Sequence, residues 1–78
     1  METYKIIGFN EFEFKDHPGI KWVSFYTVYE RNGVNGLACE RFACRLDNVS
    51  GGMIELNKKM HVFYNKFGKV ASVELLDD

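Results

Sequence analysis

Two groups of side chains in this 78-residue chain are suited to holding a flat, anionic ligand. The first is Tyr64, Lys66, Phe67 and Lys69 within HVFYNKFGKVASVEL, residues 61–75, where two lysines flank a ring next to Gly68. The second is Trp22 and Tyr26 in one extended segment, with Arg41 and Arg45 at a spacing of four in the next. Lys58, beside Lys59, adds a further cation. Rings of this kind stack on nucleobases, at roughly 1–3 kcal/mol per base, while Lys and Arg meet the phosphates between them. The same residues also have an ordinary use, because rings fill small cores and lysines keep strand edges soluble. The elements that carry them decide between the two.

Catalytic and metal chemistry find little support. His17 and His61 have no Ser or Cys elbow beside them, the carboxylates do not pair at a useful spacing, and Gly51-Gly52 opens no phosphate loop. A non-enzyme with no catalytic residue, metal, cofactor or small-molecule substrate is expected. Cys39 and Cys44, five apart, fall on opposite faces of a strand, so they cannot bridge within it. Free thiols, together with the lack of any apolar run near the ~20 residues of a membrane span and of a secretory core after METYK, lead to the expectation of a cytoplasmic protein without membrane contact.

Net charge is −1, but it is unevenly spread. Residues 1–30 carry three basic against five acidic side chains, a balance of −2. Residues 31–69 carry seven against three, +4, and residues 70–78 carry Glu74, Asp77 and Asp78, −3. A basic block between acidic ends permits a local cationic face on a neutral protein.

No segment sustains a 3.6-residue apolar period, and turn signals recur about every ten residues, as in a small all-β domain spanning residues 1–78. The first strand is expected over residues 3–15. Its apolar phase switches between Ile6 and Ile7, and Gly8 inside the run predicts a bulge where the strand changes face. A turn at DHPGI, residues 16–20, leads to a second strand over 21–31 that is apolar on both sides. The Asn-Gly pairs of RNGVNG lead to a third over 37–47, with Phe42, Cys44 and Leu46 inward and Arg41 and Arg45 outward. Residues 47–57 form a long connection with a helical turn allowed over 53–57, and strands over 58–64 and 70–76 close a hairpin. Phe12, Phe14, Phe25, Phe42 and Phe63 are expected in the core. Five strands, a meander and then a hairpin, fit a five-stranded Greek-key barrel of the OB-fold kind, with an SH3-like barrel as the alternative.

The strand and turn Tyr64-Asn65-Lys66-Phe67-Gly68-Lys69-Val70, followed by ASVELL, resemble the closing hairpin of small single-domain single-stranded DNA-binding proteins of phages, plasmids and conjugative elements, the helix-destabilising proteins among them. GLACERFAC after its Gly-rich turn is similar to their middle strand, and together the likeness covers about half the chain. The resemblance implies a dimeric OB-fold that coats single-stranded DNA, or RNA, without sequence preference, in phage or mobile-element replication. The slightly acidic net charge is a departure from such binders. The competing expectation is a protein–protein or assembly module that binds no nucleic acid, motivated by that charge and by the two apolar faces of the second strand.

Overall fold

The switch of phase around Gly8 is a β-bulge. In the computed structural model, which describes residues 2–76, β1 (Tyr4–Glu13) pairs antiparallel with β2 (Lys21–Tyr29), and the register slips between Ile6 and Gly8. Ile6 opposes Thr27 on the buried side, whereas Gly8 opposes Tyr26 on the outer side. Beyond the bulge, even-numbered residues of β1 face out and odd-numbered ones face in. Phe12 therefore lies half-buried beside Trp22 and Phe14 is exposed, and neither joins the core expected for them; Phe63, on the outer side of a later strand, is exposed too, so of the five only Phe25 and Phe42 do.

β2 pairs antiparallel with β3 (Ala38–Arg45), which ends in a single 3-10 turn, Leu46–Asn48. Two residues of β4 (Val49–Ser50) follow and pair parallel with β6. β5 (Lys59–Tyr64) and β6 (Val70–Leu76) form the closing hairpin, and β5 joins β1 at Tyr4 and Lys5. The fold is thus all-β, one mixed sheet in the order β3-β2-β1-β5-β6-β4. Six strands replace the expected five, because residues 49–50 pair where an unpaired connection was expected. The turn allowed at 53–57 is not helical, and the one helical turn among the described residues lies earlier, at 46–48. The sheet curls until β3 packs on β6, but no ladder joins them and the ring is not closed. The link runs only through β4, because the chain leaves the sheet at Gly51 and Gly52, both at positive φ. No helix among the described residues is long and apolar enough to cross a membrane. Asp77 and Asp78, the acidic end noted in the sequence, lie outside the described residues.

The concave side holds the core: Ile6, Val23, Phe25, Phe42, Cys44, Met60, Val62, Val73 and Leu75. Each fully buried side chain of this size contributes about 1.5–3 kcal/mol relative to exposure. Burial also pushes the Cys44 thiol up from its ordinary value, while Cys39 is exposed and both thiols are free. Tyr4 closes one end of the core, with its ring edge-on to Tyr29 at 4.9 Å and to Phe42 at 4.7 Å. Loss of solvent, followed by the neighbouring Tyr64 hydroxyl, pushes its phenol up to about 12 from 10.0. A folded value above the unfolded one means that the neutral phenol favours folding. That contribution is complete below pH 10 and is lost as pH rises from 10 to about 12. Tyr4→Phe should accordingly flatten the fall in urea midpoint across this window. An unchanged slope would show that Tyr4 does not govern the alkaline transition.

Candidate nucleic-acid interface

The register of β2 on β3 brings rings and guanidinium groups together on the convex side of the sheet. Trp22 stands directly opposite Arg45, Tyr26 opposite Arg41, and Ser24 lies between them opposite Ala43. Directly opposed side chains lie within reach of each other, so four of the nine candidate residues form one surface. The even-numbered residues from Trp22 to Val28 run about 20 Å along it, at ~3.3 Å per residue.

Each member is held in a definite way. Phe12 packs edge-on to Phe14, and Phe14 to Trp22, both at 5.3 Å between centroids, which backs Trp22 with a small aromatic stack. Tyr26 lies over Gly8, where a side chain on β1 would sit 3.6 Å from its ring. Its ring remains 43% exposed. Arg41 donates from Nη2 to Ser24 Oγ at 2.8 Å, and Ser24 is 1% exposed although it lies on the outer face. Among the described residues no carboxylate lies within ion-pair distance of Arg41. Arg45 meets Asp47 at 3.4 Å, and both side chains are largely solvated, so the pair holds it weakly.

The outward positions of β1, β2 and β3 include Lys5, Arg41 and Arg45 and no Asp or Glu. Lys59, opposite Lys5, extends the cationic face onto β5. The chain carries an overall negative charge, yet this three-strand surface is cationic.

The hairpin tip forms a second cluster. Asn65 Oδ1 accepts from the N–H groups of Phe67 at 2.9 Å and Lys69 at 3.1 Å, and Gly68 takes φ 76°, which closes the turn. Phe67 is 74% exposed and does not fold back over the core; the Lys66 ammonium lies 5.2 Å from its ring centre. Tyr64 follows Met60 and Val62 on the inner side of β5 and sits beside Tyr4 at the base of the tip. The tip projects from the end of the sheet where β2 finishes, opposite the Phe12–Phe14–Trp22 end, so the two clusters do not merge. Lys58 belongs to neither: its ammonium donates to the Met53 carbonyl at 3.0 Å and ties down the 51–58 loop.

Phe12, Phe14, Ser24, Lys5 and Lys59 join the surface without having been singled out from the sequence. The signal for the two phenylalanines was present, since a bulge at Gly8 reverses the facing of every residue after it. Comparison with family models, with curated proteins and with solved structures gave no match.

Proposed function

We propose that this is a non-catalytic, sequence-tolerant single-stranded DNA-binding protein that works as a homodimer in the cytoplasm, in phage or mobile-element replication. The observation that carries this reading is the outer face of β1–β3, whose outward strand positions hold no Asp or Glu and on which Trp22 opposes Arg45 and Tyr26 opposes Arg41. Bases stack on Trp22 and Tyr26, and Arg41, Arg45 and Lys5 meet the phosphates. Phe67, Lys66 and Lys69 act as a separate contact for the same strand. The meander β1–β3, the β5–β6 hairpin and the parallel link of β4 to β6 support an OB-fold-like barrel, with residues 38–50 as its closing segment.

The chain has one tryptophan, and it lies in the proposed site, so its fluorescence reports directly on occupancy. Titration with oligo-dT at low and high salt is expected to quench it, with an affinity that falls steeply as salt rises. Phe67→Ala should leave the melting temperature unchanged and weaken binding by about 1–3 kcal/mol. Lys66→Ala and Lys69→Ala should each reduce the salt slope by about one unit. No binding at any salt would instead favour a protein partner, and a Phe67→Ala variant that melts early with unaltered affinity would make the tip structural.

A further inference from the structure

β1 is paired along its whole length with β2 but along little of its other edge. On that edge Tyr4 and Lys5 meet β5, the Ile6 N–H donates to the Lys58 carbonyl at 2.9 Å, and the Ile6 carbonyl accepts from the Asn57 N–H at 2.7 Å. Beyond Ile6 no backbone hydrogen bond is made there among the described residues. Backbone groups of an antiparallel strand turn alternately to its two sides. Thr27, Phe25 and Val23 of β2 alternate alike, so their partners Ile6, Phe9 and Glu11 all turn N–H and C=O to this open edge. A groove of about 390 Å³, lined by Phe9, Glu11, Leu46, Val49, Met53 and Gly52 among others, runs beside it. Of its lining, Phe9 and Met53 are exposed. A long unprotected edge with apolar margins is a template for another strand.

We propose that the occupant is β1 of a second copy of this chain, paired antiparallel about a twofold axis through Asn10. The open edge limits the register. Only odd residues carry free backbone groups, so odd must oppose odd. A dyad at Glu11 would set two carboxylates directly opposite each other, which is destabilising. A dyad at Asn10 sets Phe9 against Glu11 and Phe12 against Gly8, an aromatic ring over a glycine, and opposes no like charges. It also uses more of the open edge than a dyad at Phe9. The result is one continuous sheet, β3-β2-β1 joined to its mate. The axis is perpendicular to the sheet, so both cationic outer faces lie on the same side. The inference gives the homodimer of the proposed function its interface and does not depend on nucleic-acid binding.

Two variants test it, alongside sedimentation of the wild type. Asn10→Cys, in a Cys39→Ser background, places two thiols across the dyad at a non-hydrogen-bonded pair, with Cα atoms about 4.5 Å apart. Oxidised glutathione, itself reduced to the thiol, should convert them to a covalent dimer. Glu11→Pro removes an edge N–H without removing one from the β1–β2 ladder. It should convert a sedimenting dimer to monomer while leaving the far-UV spectrum unchanged. A wild-type protein that is only monomeric at high micromolar concentration overturns both the homodimer and this interface. A dimer that neither crosslinks nor responds to Glu11→Pro keeps the homodimer and overturns the β1 edge.

Discussion

A Trp22→Ala, Tyr26→Ala double variant will lose roughly 2–6 kcal/mol of oligo-dT affinity, at ~1–3 kcal/mol for each base left without a ring. The two rings lie four residues apart on one strand, about 13 Å, so they serve different bases. Loss of Trp22 also removes the fluorescence signal, so anisotropy of a labelled oligonucleotide is the proper measurement. The variant should remain folded, since neither ring belongs to the core cluster: Trp22 rests on Phe14 and Tyr26 on Gly8. Arg41→Ala should weaken binding as well and also reduce the salt dependence, which separates the cationic contribution from stacking. Wild-type affinity in the double variant, with the fold intact, would remove the outer face from the binding reaction.

Gly51→Ala will cost about 2–5 kcal/mol of stability, from ~1–2 kcal/mol of backbone strain and ~1–3 kcal/mol of overpacking. Gly51 adopts φ 93° where the chain leaves β4. A Cβ there would lie 2.9 Å from both the carbonyl carbon and the amide nitrogen of Leu75, and closer still to its carbonyl oxygen. Backbone cannot yield as a side chain does, and Leu75 is in the core. A chain of this size has on the order of 4–12 kcal/mol in total. Each kcal/mol lost lowers Tm by roughly 4–8 °C, so calorimetry should show a fall of at least about 8 °C. Gly33→Ala, also at positive φ but with open space around it, isolates the strain contribution and should fall by much less. Equal losses in the two variants would show that contact with β6 is unimportant.

The ladders were legible in the sequence where apolar phase and turn chemistry agreed. Asn32-Gly33 and Asn35-Gly36 marked the β2–β3 turn, and of the residues expected inward beyond it Phe42 and Cys44 are buried, while Leu46 lies half-buried in the 3-10 turn. The opposition of Trp22 and Tyr26 to Arg45 and Arg41 followed from spacing once those strands were adjacent. β4 was not legible, because two residues carry no period and their partner, β6, lies more than twenty positions away. Lys58 shows a charge in the sequence but not the Met53 carbonyl that takes it up. Phe12 and Phe14 were placed in the core because the bulge was recognised without following its effect on every later residue of β1.

The bond from Arg41 to Ser24 bears on the speed of capture as well as its strength. An arginine free in solvent samples many rotamers and must lose that freedom, worth up to ~2 kcal/mol, when it grips a ligand. Here most of that ordering accompanies folding, since one N–H of the guanidinium is already anchored and the rest of the planar fork faces outward. An arriving phosphate meets a cation in a fixed pose, so binding need not wait for the side chain to be organised. Ser24→Ala would leave the charge count unchanged and loosen that pose, so its signature is a slower association rate at constant salt slope.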